Sequence, residues 1–298
     1  MSKILEISEV SKKIGKKQII KELSFYLNKG EILGFLGPNG SGKTTTMRMI
    51  TGLIGIDSGE ILVNGISIKK DFTKAIQYVS AIIENPDMYQ YLSGYKNLKL
   101  SANMAGVTNE EEIKDIVAMV GLTERIHDKV RTYSLGMKQR LGVAQALINS
   151  PELIILDEPT NGLDPIAIRE FRSYFKSIAE NKGIAFLVSS HLLSEVELMC
   201  DRVVMLQKGE KVGEFELNSK QQLRTEYCIE TDQPEKCIDA LTENFTILSK
   251  TEKSIIVRGD YYALPHLLKK LIEQGISIYT VQPVVERLED VYMRINKD

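Results

Sequence analysis

The stretch EILGFLGPNGSGKTTTMRMITGL, residues 31–53, constrains this chain more than any other. Residues 32–36 are apolar and predict a buried strand. Gly37, Pro38, Asn39, Gly40, Ser41, Gly42, Lys43 and Thr44 then fit the pattern GxxxxGK[ST], and residues 45–53 predict a helix with Met47, Ile50 and Leu53 on one face. The glycines let the backbone curl so that several N–H groups point at one phosphate chain. The helix N-terminus, from Thr45, adds its positive end. Lys43 is expected on the β- and γ-phosphates and the Thr44 hydroxyl on Mg²⁺. A glycine-rich turn that binds nothing would not need all four pattern positions between a strand and a helix.

Two further apolar runs end in polar side chains. In PELIILDEPTNGLDP, residues 151–165, a strand over 153–156 runs into Asp157 and Glu158. Strand side chains alternate faces, so these adjacent acids point differently and can do different work. Asp157 suits Mg²⁺ through a water, because that ion keeps much of its hydration. Glu158 suits a base or orienter for an attacking water. A strand over 184–188 runs into Ser189, Ser190 and His191. His191 is read as a group at the γ-phosphate, since ligands of α/β sheets gather at the carboxyl ends of strands; the alternative is a polar helix cap. His127 and His266 are expected at the surface. A fourth run, residues 79–83, ends at Glu84, ahead of Asn85 and Pro86.

Composition bounds the class. The chain has 298 residues, enough for two domains, with 38 basic and 40 acidic side chains and a net charge of −2. That balance gives no bulk charge for holding nucleic acid. The three cysteines, Cys200, Cys228 and Cys237, form no CxxC pair and suit a reducing compartment. No run reaches the ~18 apolar residues of a membrane helix. The N-terminus MSKILEISEV alternates apolar and polar residues without a signal-peptide core.

With the phosphate loop, LIILDEP, NGLDP and SSHLL in this order, the stretch YSLGMKQRLGVAQALINS completes a set of five motifs. Residues 1–217 thus resemble the nucleotide-binding subunit of an ABC transporter. Tyr133 to Met137 resembles the family's LSGGQ signature, with Ser134 and Gly136 as the matches. Ser134 is placed to cap a helix whose apolar face is Met137, Leu141, Ala144 and Ile148. The resemblance implies that Ser134 and Gly136 serve the ATP of a second subunit, so that two ATP molecules are sandwiched between two head-to-tail copies. It also implies that residues 161–164 run along that seam.

Three features depart from the family pattern. Ile14, in SKKIGKKQ, takes the place of an aromatic residue that stacks on adenine, so base selectivity is expected to be weak. In the signature, Leu135 replaces a glycine and Met137 a polar residue. Glu84 takes the place of a Gln that, the resemblance implies, touches the Mg²⁺ shell and links the nucleotide site to the membrane partner; the alternative is a solvated acid at a loop entrance. Glu84, with the Asn-Pro-x-x-Tyr and LSGYKNL that follow, is similar to the exporters of bacitracin and lantibiotic-type peptides.

The expected fold is α/β: an ABC-type P-loop ATPase core over 1–217, with a helical subdomain over 86–150, and a small α+β domain over 218–298. Tyr89, Tyr91 and Tyr95 are read either as a docking surface for the membrane subunit or as ordinary core and rim. In the second domain, strands are expected at 227–230, 246–249, 254–257 and 276–281, and helices at 237–244, 265–274 and 287–295. The order βαββαβα matches a ferredoxin-like split βαβ unit with a tail helix. The functional expectation is an ATP- and Mg²⁺-dependent ATPase, with Glu158 and His191 catalytic and with Thr44, Asp157 and Glu84 around the metal. It is expected to form a homodimer on the inner face of the membrane and to drive a separate membrane subunit exporting an antimicrobial peptide or other amphiphile. The alternative is a soluble ABC ATPase acting on the ribosome or DNA, which usually carries two cores or a coiled-coil insert. A second alternative, ATP binding without hydrolysis, does not explain Glu158 and His191.

Overall fold

The computed structural model describes residues 2–84, 86–217, 224–241, 244–284 and Tyr292. The chain forms two compact units, Met1–Asn218 and Ser219–Asp298.

The first unit holds two sheets. Lys3–Ile14 and Lys17–Asn28 pair as an antiparallel hairpin. With Ser58–Val63 and Ile66–Ser67 they make a four-stranded antiparallel sheet. Ile4, Leu5, Ile7 and Val10 are buried; Leu5 and Ile7 follow strand alternation, and a register shift between Ile7 and Val10 brings Val10 into the core as well. The second sheet has six strands in the order Glu210–Glu216, Arg202–Gln207, Ile32–Leu36, Ala185–Ser190, Leu153–Leu156 and Val79–Ile82. All neighbours are parallel except the first pair. Ile32–Leu36, Leu153–Leu156 and Ala185–Ser190 are buried at every position. Both of their faces are covered, which is why these strands read as unbroken apolar runs.

The helix Lys43–Ile50 starts at the phosphate loop and buries Met47, Met49 and Ile50 in a core shared by both sheets. It ends before the expected residue 53, where Gly52 adopts φ 72°. Pro165–Lys182 is capped by Asp164, which accepts from the N–H groups of Ile166 and Ala167, and stops at Gly183 with φ 66°. Phe175 of this helix meets Phe186 edge-on at 4.9 Å, which fixes the helix against the sheet.

The region expected to be helical contains Gly94–Met104, Glu110–Met119 and Leu135–Leu147, capped by Ser93, Asn109 and Ser134. Leu135–Leu147 is not the one-sided helix expected. Gly136, Gln139, Leu141, Gly142, Val143, Ala144, Ala146 and Leu147 are all buried, because it packs against neighbours on several sides.

In the second unit, strands occupy Arg224–Thr231, Phe245–Lys250, Ser254–Asp260 and Ile278–Pro283, and helices occupy Pro234–Asp239 and Leu264–Glu273. The sheet is antiparallel, with the first strand between the third and fourth and the second at the edge. Tyr227, Ile229, Phe245, Ile255, Val257, Leu267 and Leu271 form its core. The expected tail helix, 287–295, lies outside the described residues.

Candidate active site

Four strand ends build the site. The parallel register sets Leu36 beside Ser190, Leu156 beside Val188 and Ile82 beside Leu156. The chain leaving these strands therefore delivers Gly37, His191, Asp157 and Glu84 to one edge of the sheet.

The loop that follows Ile32–Leu36 is shaped by close approach. Gly40 and Gly42 adopt φ 80° and 110°, and a Cβ on Gly42 would lie 2.4 Å from Ile20 Cδ1. A Cβ on Gly37 would meet the Leu206 carbonyl at 2.4 Å. Ser41 is buried, and its hydroxyl has no hydrogen-bond partner among the described residues. Lys43, 6% exposed, donates to the Gly37 carbonyl at 2.7 Å and lies 3.3 Å from Glu158 Oε1. An unpartnered buried hydroxyl, a buried ammonium and a cramped glycine backbone together fit a polyphosphate.

The carboxylates take different partners, as strand alternation implies. Asp157 Oδ2 accepts from Thr44 Oγ1 at 2.7 Å, and Oδ1 accepts from Ser189 Oγ at 2.6 Å. This hydroxyl–carboxylate pair is the oxygen set that a hydrated Mg²⁺ takes. Ser189 Oγ also accepts the Glu158 N–H at 2.8 Å, so one hydroxyl fixes both acids. Glu158 has φ 48°, and its Oε2 lies 2.7 Å from His191 Nδ1. With the carboxylate ionised, Nδ1 carries the proton of that bond.

The structure places other expected site residues differently. Glu84, with φ 71°, makes no hydrogen bond to Thr44 or Asp157; its carboxylate pairs with Arg48. Ser134 caps its helix by accepting from Met137 N–H at 3.2 Å. A Cβ on Gly136 would sit 3.2 Å from Ala167 Cβ, and one on Gly162 would sit 2.9 Å from Leu135 Cδ2. The departure at Leu135 thus packs on residues 161–164. No hydrogen bond joins Ser134 or Gly136 to loop 37–45 among the described residues.

Ile14 is half exposed at the hairpin end, whose strand passes Gly42 at Ile20. Tyr26 holds the Arg202 guanidinium 4.3 Å above its ring, and Arg202 pairs in register with Leu33, at the far end of the strand from the loop. Tyr89 and Tyr91 are exposed and stack edge-on at 5.9 Å. Tyr95 stands apart from them, against His127 at 5.4 Å. His127 and His266 are exposed, as expected. Sequence reading missed Ser189 and Arg48. Ser189 was visible in VSSH as the polar residue before a second serine, but its two partners follow only from strand pairing.

The ABC transporter family matches residues 20–161. The ABC transporter ATP-binding protein YhcH of Bacillus subtilis (strain 168) is 45% identical over 296 residues, covering 99% of this chain and 96% of the relative. The chain belongs to the ABC transporter ATP-binding proteins. This ABC ATPase is also similar to the bacitracin transport ATP-binding protein BcrA of Bacillus licheniformis, at 34% identity over 299 residues, 99% of this chain and 98% of that protein. A solved ATP-binding subunit of an ABC transporter matches with a TM-score of 0.63 and 30% identity, covering 72% of this chain and 90% of that one. The ABC ATPase fold is shown, and with it ATP binding and ATP hydrolysis as the activity of the subunit. Among the described residues of this ABC ATPase, no helix is long and apolar enough to cross a membrane.

Proposed function

We propose that residues 1–217 are the ATPase domain, with 86–150 as its helical subdomain, and that 218–298 are an accessory domain. The observation that carries the mechanism is the division of labour between Asp157 and Glu158. Asp157, bonded to Thr44, and Thr44 itself would hold Mg²⁺, which when bound offsets charge on the phosphates. Glu158 takes the proton of the attacking water or orients that water. His191 keeps the Glu158 carboxylate turned toward the site, and Lys43 with the backbone and hydroxyls of residues 37–45 grips the phosphates. Ser134 and Gly136 serve the ATP of a second copy of this chain, so the working unit is a homodimer. Glu84, which pairs with Arg48 here, would reach the metal shell on leaving that partner and so link the site to the membrane subunit.

The ATPase drives a separate integral membrane subunit from the inner face of the membrane, and the cargo is an antimicrobial peptide or other amphiphile. Similarity to BcrA along almost the whole chain supports this, as does Glu84 at the mouth of the edge strand. The exposed pair Tyr89–Tyr91 suits the docking site, since aromatic side chains anchor interfaces. Co-purification with the membrane protein tests the reading. Changing both tyrosines to Ala should weaken the complex; unchanged co-purification would move the docking site elsewhere, and no membrane partner at all would contradict the transporter role.

A further inference from the structure

Arg48 lies four residues after Thr44, on the same face of the helix Lys43–Ile50. Thr44 bonds Asp157, and the Asp157 N–H donates to the Ile82 carbonyl at 2.9 Å. Ile82 ends the edge strand, Glu84 follows two residues later, and its carboxylate returns to Arg48. The contacts close a ring around the loop helix and the strand exit. The exit continues into Pro86, which packs on the helix Leu135–Leu147: a Cβ on Gly142 would lie 2.7 Å from Pro86 Cβ and 3.3 Å from Ile82 Cδ1. Ser134 caps that helix.

We propose that Arg48 is a positioning residue that couples the phosphate-loop helix, through Glu84 and Pro86, to the helix carrying Ser134. The proposal rests on the nucleotide-site reading for its purpose, but the contact itself belongs to the chain. The Arg48 and Glu84 side chains are 38% and 67% exposed, so the pair adds little stability. What it fixes is direction. Glu84 is held in a left-handed backbone conformation that L side chains rarely adopt, and its carboxylate faces the helix that bears Lys43 and Thr44. A displacement of that helix is passed to the strand exit while the pair holds, and is lost when it is cut.

Hydrogen exchange on the full chain without nucleotide tests this. The peptides read are 79–88 and 134–147. Arg48→Ala and Glu84→Ala should each speed exchange in both by roughly two- to fivefold, the scale of an exposed ion pair. The double variant should exceed neither single change, and exchanging the charges, Arg48→Glu with Glu84→Arg, should return the rates toward the native ones. Arg48→Ala with native rates, or a double variant in which the two effects multiply, overturns the proposal. No nucleotide is needed, so failure of ATP to bind would contradict the nucleotide-site reading without touching this result.

Discussion

The Lys43 ammonium lies 3.3 Å from Glu158 Oε1, while His191 Nδ1 lies 2.7 Å from Oε2. Both carboxylate oxygens of the proposed base are therefore held, one from the phosphate loop and one from the next strand end. The side chain is only 18% exposed, so its orientation depends on these two groups more than on water. In the proposed reading Lys43 turns to phosphate, and His191 is then the partner that keeps the carboxylate in place.

His191→Ala should therefore separate catalysis from binding. Hydrolysis should fall by roughly 10²-fold or more, the scale of a lost acid–base contribution, while ATP affinity changes little. Steady-state turnover and a fluorescent-nucleotide titration on the same protein measure the two quantities. Equal losses in both would make His191 a phosphate ligand instead.

Base selectivity should be weak. Ile14 offers only apolar contact, and Tyr26 is committed to Arg202 at the opposite end of the central strand. GTP should compete with ATP within about tenfold, or ~1.4 kcal/mol. A competition titration that prefers ATP by far more would require an aromatic contact from another chain.

Stability of the first unit should depend on Arg202. It is 5% exposed, bonds Glu31 at 2.7 Å and the Tyr26 carbonyl at 2.8 Å, and also pairs with Glu214. Arg202→Ala leaves two acids without their shared cation and should cost roughly 3–5 kcal/mol, read as a fall in Tm of about 10 °C. Burial pushes Glu214 up, but Lys211 and then Arg202 outweigh it and hold the carboxyl below its ordinary value of 4.5. A depressed carboxyl stabilises above its unfolded pKa, so this contribution is present above pH 4.5 and is lost as pH falls further. The native protein should lose more stability on acidification through that range than Arg202→Ala does.

Much of the site could be read from the sequence because its residues sit at ends of buried strands, where an apolar run stops at a polar side chain. Asp157 carries that signal, Glu158 and His191 follow within three residues of their run's end, and Gly37 opens the pattern GxxxxGK[ST]. Arg48 does not, since it looks like an ordinary helix cation; Ser189 carries the signal, but its bonds to Asp157 and Glu158 follow only from strand register. The burial of Leu135–Leu147 on several sides was equally hidden, since its small residues, Gly142, Ala144 and Ala146, fit an exposed helix and a packed one alike. Glu84 was found by its position, but its resting partner was not, because an exposed arginine four residues after Thr44 has many possible neighbours.

Glu158→Gln tests the central claim most directly. The amide keeps the shape and still accepts from His191, but it cannot take a proton from water. ATP binding should persist, ATP should promote dimers visible by size exclusion, and turnover should fall by roughly 10²–10⁴-fold. Turnover at the native rate would contradict the assignment of Glu158 as the base, and with it the division of labour between Asp157 and Glu158.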